Sequence, residues 1–313
     1  MQIEEYLAYV AGVRRYSPRT RQIYREVLEE FDSLGEALTP SGIRNYEIHL
    51  LDGKKLSART AGLHLSVLSG YCRWAVKQGL LPSNPVKLVP KPKTEKRLPV
   101  FYREESMKEY FSATEAAAGR SQLDLLLSLP QDDPTAKELY GRRLRRLIVS
   151  MLYGTALRRS EMISLDMASV DFSRRQLAVK GKGDKMREIP LTSSLCQEIS
   201  LYLNAATHML GEGGALTPLL RTPAGGRLYP VFIDRAVKEE LGATGGITGQ
   251  KSPHVIRHTL ATELLDGGTD LNSIKELLGH SSLAATQVYT HNSMERLRKE
   301  YNKAHPRAKK TEE

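Results

Sequence analysis

Five prolines between residues 82 and 99 divide the chain into two parts. Proline fixes φ and lacks a backbone N–H, so a segment this rich in proline cannot form the interior of a helix. The same segment holds five lysines or arginines. It predicts an extended basic linker, with one domain on each side of it. A chain of 313 residues is long enough for two domains, each with its own core.

The residues before this linker predict four helices. The first covers residues 2–12, where apolar residues recur at helical spacing. Ser17-Pro18 and Thr39-Pro40 each place a capping residue before a proline, which is a favoured start of a helix. Ser57 opens the longest helix, which ends at Gly79. We therefore expect a helical bundle whose apolar stripes form a core.

Basic residues outnumber acidic ones, which favours a polyanionic partner. The chain has 46 Lys and Arg and 36 Asp and Glu, a net charge of +10. Up to residue 97 there are sixteen basic and ten acidic residues, a net charge of +6. An excess of positive charge indicates a surface that binds the phosphates of a polyanion, because neutralising phosphates releases counterions. The residues predicted to contact DNA are Arg19, Arg21, Arg59 and Arg73.

The second half is predicted to be mainly helical with one β-hairpin. Residues 176–179 and 186–189 are short strand-like segments, and the glycines between them favour a turn. Residues 112–135 indicate an inserted helix and loop, for which we favour an inert surface loop over a regulatory or protein-contact element. The fold class is therefore mainly α, with a mixed α/β second domain.

Several kinds of site and location are not indicated. Cys72 and Cys196 stand outside any metal-ligand pattern and predict buried thiols in a reducing compartment. The acidic pair Asp132-Asp133 lies in an apparent loop, so we expect a reaction that needs no metal, and no ATP-binding loop is present. We expect no cofactor.

The chain has no apolar run of about 18 residues, which predicts a cytoplasmic location and no membrane partner.

The sequence HVIRH at residues 254–258 is the first candidate for chemistry. His254, Arg257 and His258 are three or four residues apart, so we expect them to project together from one helix. Ser252-Pro253 marks the start of that helix, where the backbone N–H groups favour an anion. A separate apolar row is expected to seat the helix in the core: Ile256, Leu260 and Leu264.

Further polar residues fit the same chemistry. His280 follows a helix-ending glycine, Tyr289 lies nine residues later, and Arg158 follows an apolar helix far upstream. Attack on a phosphodiester gathers negative charge on the non-bridging oxygens, and arginine forms paired N–H bonds to such oxygens. Tyrosine can act as a covalent nucleophile if a base accepts its proton. The set therefore favours phosphoryl transfer.

Three segments resemble the active-site sequences of the tyrosine recombinase (phage integrase) family, and especially the bacterial Xer recombinases. They are GTALRRSEMISL, VKGKGDKMREIPL and SPHVIRHTLATELLDGGTDLNSIKELLGHSSLAATQVYTH. The resemblance implies a four-helix, SAM-like core-binding domain over residues 1–82 and a linker over 83–99. It implies a catalytic domain over 100–313, mostly helical with a small antiparallel sheet, that ends in an exchange helix.

The resemblance assigns catalytic roles to six residues. Arg158 is the first catalytic arginine, His254 and Arg257 bind the scissile phosphate, and His280 contacts a non-bridging oxygen. Tyr289 attacks the phosphorus, His254 accepts the phenolic proton, and Lys182 protonates the departing 5′ oxygen. Lys180 and Lys185 remain alternatives for that last role.

Neighbouring residues receive supporting roles. Arg159 is expected to be a bystander and Glu161 to buttress the site. His258 and His291 are expected to be structural. Compared with the Xer pattern, residues 112–135 are longer than usual, and Ala156 stands where glycine is common.

The resemblance implies a site-specific recombinase that forms a 3′-phosphotyrosyl intermediate and a Holliday junction. Its partners would be double-stranded DNA with a specific site and a homo-tetramer on two DNA sites, or a hetero-tetramer with a paralogue, with or without an activator protein. Chromosome dimer resolution at a dif-like site is the favoured role. The alternatives are an integrase or invertase of a mobile element, a nicking and resealing enzyme like a type IB topoisomerase, and a catalytically silent DNA-binding protein. The target sequence stays open.

Overall fold

The computed structural model describes residues 1–93, 100–181 and 184–279. The chain divides into two compact units, Met1–Leu98 and Pro99–Glu313, here called the first and second unit. Three residues with predicted catalytic roles lie outside the described residues, together with His291 and the predicted exchange helix: Lys182, His280 and Tyr289.

The described part of the first unit is a bundle of four α-helices, which confirms the sequence prediction. Its helices are α1 (Ile3–Gly12), α2 (Pro18–Ser33), α3 (Pro40–Ile48) and α4 (Ala58–Lys77). A single π turn, His49–Gly53, continues α3.

The predicted start signals of three helices are confirmed as side-chain caps. The hydroxyl oxygens of Ser17, Thr39 and Ser57 each accept a hydrogen bond from a backbone N–H at the helix start, at 3.2 Å. Each cap satisfies one of the N–H groups that a helix leaves without a partner, a contribution of about 1 kcal/mol.

The core of the bundle extends into the proline-rich segment. Leu28, Phe31 and Tyr46 are completely buried, and Val86 and Val89 belong to the same core. A short 3₁₀ helix, Pro85–Leu88, follows Asn84, whose side chain accepts a hydrogen bond from the backbone N–H of residue 86. The first residues of the predicted linker thus pack against the bundle, because burying two valines stabilises them there.

The second unit is built around α8, which packs against α10, α11 and α12. Sixteen of the 22 residues of α8 are buried, so this helix forms the middle of the core. The helices are α5 (Glu104–Ala113), α6 (Glu115–Ala118), α7 (Arg120–Leu127), α8 (Pro134–Thr155), α9 (Arg159–Ile163), α10 (Ser193–Leu210), α11 (Pro230–Gly242), α12 (Pro253–Asp266) and α13 (Leu271–Leu278), with a 3₁₀ turn at Met167–Ser169.

A small antiparallel sheet accompanies these helices. The predicted hairpin forms β2 (Gln176–Lys180) and β3 (Met186–Pro190), and Lys180 pairs with Met186 at the turn. A strand that the sequence did not indicate, β1 (Val170–Asp171), pairs with β2 to give the order β1-β2-β3. Two residues are too few to show an alternation of apolar and polar side chains.

The expectation of an inert surface loop within residues 112–135 is wrong. The stretch contains α6 and α7, and Leu123 and Leu126 of α7 are buried in the core of the second unit. The guanidinium of the buried Arg143 on α8 donates hydrogen bonds to the carbonyl oxygens of Ala118 and Gly119, at 3.0 and 2.7 Å. The insertion is therefore part of the packed domain.

Candidate active site

Arg158 is positioned by a sharp turn at the end of α8. Ala156 caps that helix in the left-handed conformation, with φ 50°, and Arg158 then precedes the first residue of α9. One Glu161 oxygen accepts a hydrogen bond from the Arg158 backbone N–H at 2.8 Å, and the other accepts one from the Arg158 guanidinium at 2.7 Å. Glu161 thus fixes both the start of α9 and the arginine beside it.

Glu161 is shared with a second arginine, Arg187 on β3. The guanidinium of Arg187 donates two parallel hydrogen bonds to the two Glu161 oxygens, at 2.9 and 2.8 Å. Both side chains are buried, with 6% and 4% of their side-chain surface exposed. Burial raises the pKa of Glu161, but the bonds from Arg187 and Arg158 outweigh burial and hold that pKa below its ordinary value. The carboxylate is therefore ionised at neutral pH.

The C-terminal end of α13 is held by three guanidiniums. Arg187 donates from Nε to the Leu277 carbonyl oxygen at 3.2 Å, Arg257 donates to the Leu278 carbonyl, and Arg158 donates to the Gly279 carbonyl at 2.9 Å. The last carbonyls of a helix have no partner within the helix and carry partial negative charge, so cations stabilise them. Arg158, Arg187, Arg257 and Glu161 are called the arginine cluster below.

Arg257 lies deepest in this cluster. A second bond runs from its guanidinium to the Ala156 carbonyl oxygen, so it connects α12 to the turn after α8. Burial, with the charge of Arg158 as a smaller cause, lowers the pKa of Arg257 to about 10. It stays charged at neutral pH. Three guanidiniums and one carboxylate leave two positive charges in the cluster, which suits a phosphodiester anion.

The two histidines of α12 lie on its exposed side. Nε2 of His254 and Nε2 of His258 are 3.1 Å apart and share one hydrogen bond. Burial, followed by the charges of His254 and Arg257, lowers the pKa of His258. The expectation that Arg257 projects together with both histidines is wrong, because the guanidinium is buried against the Ala156 and Leu278 carbonyls.

The helix that carries these residues matches its sequence prediction elsewhere. The Ser252 hydroxyl accepts a hydrogen bond from the Val255 N–H, and Pro253 is the first helical residue. The predicted apolar row is buried: Ile256, Leu260 and Leu264. A core-facing row on one side fixes the rotation of α12, which leaves the histidines facing outward.

Other charged neighbours are engaged elsewhere. The Lys180 ammonium lies 3.1 Å from the Asp184 carboxylate, and the Arg159 guanidinium bonds to the Asp234 carboxylate of α11. Arg159 is therefore paired with a residue of α11, and its role as a bystander stays a prediction.

Sequence reasoning missed Arg187, although β3 contains a signal for it. Side chains alternate between the two faces of a strand. Met186 and Glu188 are exposed, whereas Arg187 and Ile189 are buried. An arginine on the core-facing side of a strand requires a buried partner, because an unpaired buried charge is costly.

The four arginines predicted to contact DNA all belong to the first unit. Arg19, Arg59 and Arg73 are exposed, whereas Arg21 is half-buried in the groove between α1 and α2. Nearby Arg25 bonds to both carboxylate oxygens of Glu4, which neutralises its charge.

Two kinds of feature are not found among residues 1–93, 100–181 and 184–279. No group of three or more His, Cys, Asp or Glu side chains in these ranges is arranged to hold a metal ion. No helix within them is both long and apolar enough to cross a membrane.

Comparison with known families identifies both halves of the chain. Residues 121–296 match the model of the phage integrase family, and residues 3–79 match that of the phage integrase N-terminal SAM-like domain. The chain belongs to the phage integrase family. It is a tyrosine recombinase, a DNA strand-transferring enzyme, and the resemblance stated from the sequence is confirmed.

Two relatives place it in the Xer group. The chain is 32% identical to tyrosine recombinase XerC of Chlorobaculum parvum, over 98% of this chain and 94% of that one. It is 35% identical to tyrosine recombinase XerC of a Mycobacterium species, over 96% of this chain and 97% of that one. The chain is therefore a tyrosine recombinase of XerC type.

Solved structures agree on the fold. A XerH recombinase bound to a palindromic difH substrate matches with a TM-score of 0.64 and 19% identity, over 95% of this chain and 82% of that one. A lambda integrase dimer bound to a core site matches with a TM-score of 0.60 and 19% identity, over 92% and 97% of the two chains. The predicted fold class, a SAM-like helical domain with a mainly helical catalytic domain, is confirmed.

Proposed function

We propose that the chain is a site-specific recombinase that cleaves a DNA strand with Tyr289 and rejoins it to another duplex. The arginine cluster carries the proposal, because it places two excess positive charges at the residues that directly precede His280. The full-length similarity to recombinases named XerC supports it.

The proposed reaction needs a phosphate site, a nucleophile, a base and an acid. Arg158 and Arg257, with His280, would bind the non-bridging oxygens as their charge increases. The Tyr289 oxygen forms a bond to phosphorus, its proton passes to His254, and the bond from phosphorus to the 5′ oxygen breaks.

Lys182 would give its proton to the departing 5′ oxygen, which leaves a 3′-phosphotyrosyl link and a free 5′-hydroxyl. Attack by the 5′-hydroxyl of another duplex then reverses these steps and releases the tyrosine. The phosphotyrosyl link retains the energy of the phosphodiester, so the exchange consumes no nucleotide.

The roles of the His254 and His258 rings follow from their shared bond. A neutral His254 that donates from Nε2 to His258 keeps the lone pair on Nδ1 available for a proton. If His258 donates instead, Nε2 of His254 accepts that bond and Nδ1 carries the ring proton, so a neutral His254 has no free lone pair for the phenolic proton. We propose that His258 selects the tautomer of the base.

The proposed assembly follows the family. Residues 1–82 would clamp DNA through Arg19, Arg21, Arg59 and Arg73, and the basic segment 83–99 would connect them to the catalytic residues 100–313. Four copies, or two with two of a paralogue, would pair two DNA sites through a Holliday junction and exchange their C-terminal helices. We propose resolution of chromosome dimers at a dif-like site as the role.

Replacing the nucleophile tests the chemistry. With a nicked suicide substrate, the parent chain should form a covalent DNA adduct, and Tyr289→Phe should form none while binding DNA with unchanged affinity. Tyr229→Phe, which changes an exposed tyrosine directly before α11, is the control and should form adduct at the parent rate. Adduct formation by Tyr289→Phe would assign the nucleophile to another residue.

Assays on intact DNA, namely a supercoiled plasmid with two sites and a single-site duplex, separate the alternatives of role and class. A recombinase pairs two sites and exchanges strands between them, a topoisomerase relaxes supercoiled DNA without site preference, and a silent binder only shifts DNA mobility. Exchange between two dif-like palindromes but not between unrelated sites would support chromosome dimer resolution.

A further inference from the structure

Arg187 lies against three segments of the second unit, and each is adjacent to a residue with a proposed catalytic role. Its terminal nitrogens bond to Glu161, which holds Arg158. Its Nε bonds to the Leu277 carbonyl at the end of α13.

The third segment is the hairpin turn, which begins at Gly181. The Gly181 N–H donates to the Lys185 carbonyl oxygen at 2.8 Å, which closes the turn. A Cβ on Gly181 would lie 3.4 Å from the Arg187 Nη1 atom, so the guanidinium lies beside this residue with room for little more than a glycine. Residue 182 follows directly in the chain.

Gly279 approaches the same guanidinium from the end of α13. It adopts φ +60°, and a Cβ there would lie 3.1–3.3 Å from the Nη1, Cζ and Nε atoms of Arg187. Only glycine combines this backbone conformation with so close an approach. Residue 280 follows Gly279 directly.

We propose that Arg187 is a positioning residue that holds Glu161, Gly181 and residues 277–279 in fixed relation to one another. Glu161 in turn holds Arg158, and the chain continues from Gly181 and Gly279 to Lys182 and His280. The inference rests on the proposed function for the roles of Arg158, Lys182 and His280. This role requires no contact between Arg187 and the phosphate, because all three nitrogens of its guanidinium already donate, two of them to Glu161 and one to the Leu277 carbonyl. Planar, multiply bonded guanidinium geometry suits this task, and lysine offers no such fork.

The experiment compares Arg187→Lys and Arg187→Met with a matched control, Arg146→Lys. Arg146 is also a buried arginine of the second unit paired with a buried glutamate, Glu198, at 3.0 Å. Its other bonds reach Thr114 and Ser150, away from the end of α13. The control therefore measures what losing a buried arginine–glutamate pair does on its own.

Two measurements are made on each variant. The first is the single-turnover rate of covalent adduct formation at saturating DNA, corrected for the folded fraction. We expect both Arg187 variants to react about 100-fold more slowly, since small displacements of catalytic groups have effects of that size. Their Kd for DNA should stay within about threefold of the parent value, and Arg146→Lys should keep the parent rate within about threefold.

The second measurement is amide hydrogen exchange, which does not depend on activity. Exchange in residues 181–186 and 277–279 should quicken in the Arg187 variants and not in Arg146→Lys. Corrected rates within about fivefold of the parent, or unchanged exchange in both segments, would overturn the proposal. If the parent itself forms no adduct, the proposed function fails, and the exchange data still decide whether Arg187 fastens these segments.

Discussion

The two units place their charged residues differently. Among the described residues, four arginines and two glutamates are buried, and all of them lie in the second unit: Arg143, Arg146, Arg187, Arg257, Glu161 and Glu198. The described part of the first unit buries no charged side chain and keeps an apolar and aromatic core. Its arginines lie at or near the surface.

This difference reflects what each unit must hold in place. Burying a charge costs free energy, and its paired partner recovers only part of that cost. A buried ion pair therefore indicates a role other than stabilising the fold. In the second unit, Arg143 and Arg146 fasten the α5–α7 region to α8, and Arg187 and Arg257 fasten the end of α13. A surface that only attracts a polyanion needs no such fixed geometry.

The largest expected effect comes from the buried charge at the proposed phosphate site. Arg257→Ala should lower the rate of adduct formation by about a thousandfold, because preorganised donors to a developing oxyanion contribute that much. Single-turnover cleavage of a suicide substrate measures it. Arg120→Ala, at an exposed arginine of α7, should change the rate less than about threefold. A loss below about tenfold in Arg257→Ala would remove the contrast between buried and surface arginines.

An intermediate effect is expected from Glu263 on α12. Burial is the main reason that its pKa is raised to about 7, although the Tyr153 hydroxyl donates to it at 2.6 Å. A folded-state pKa above the ordinary value means that the stabilising contribution is present at low pH and lost as the pH rises through about 7.

Glu263→Gln removes this titration. Relative to the variant, the parent should lose roughly 2 kcal/mol of unfolding free energy between pH 4.5 and pH 8, after a discount for partial exposure. Denaturant unfolding of the second unit at both pH values measures the difference. An equal difference at both pH values would show that this half-buried carboxyl does not titrate in the range.

The smallest effect is expected at the surface of the first unit. Arg73→Ala should reduce the slope of log Kd for DNA against log salt concentration by about one, the value for one lost phosphate contact. Arg25→Ala is the control and should change the slope by less than about half as much, because Glu4 and Glu29 already neutralise that arginine. Titrations between about 50 and 200 mM salt measure both slopes. If the slope for Arg73→Ala equals that of the parent, the proposed phosphate contact of Arg73 is refuted.

Local rules predicted many of the secondary-structure elements in both units. The caps at Ser17, Thr39 and Ser57 and the hairpin follow from residues within a few positions of one another. The burial of Ile256 and Leu260 follows from helical spacing.

Contacts between distant residues could not be predicted in this way. The bond of Arg187 to Glu161 spans 26 residues, and the bond of Arg158 to Gly279 spans 121. The packing of Leu123 and Leu126 depends on how α7 meets α8, which no local pattern encodes. The roles of Lys182, His280 and Tyr289 remain predictions.

The carbonyls that close the arginine cluster come late in the chain. Arg158 and Arg187 precede their carbonyl partners by 121 and 90 residues. On the ribosome, both guanidiniums emerge long before the end of α13 exists, so the cluster cannot close until residues 277–279 have been made. A nascent chain therefore presents a complete helical bundle well before it contains an ordered anion site.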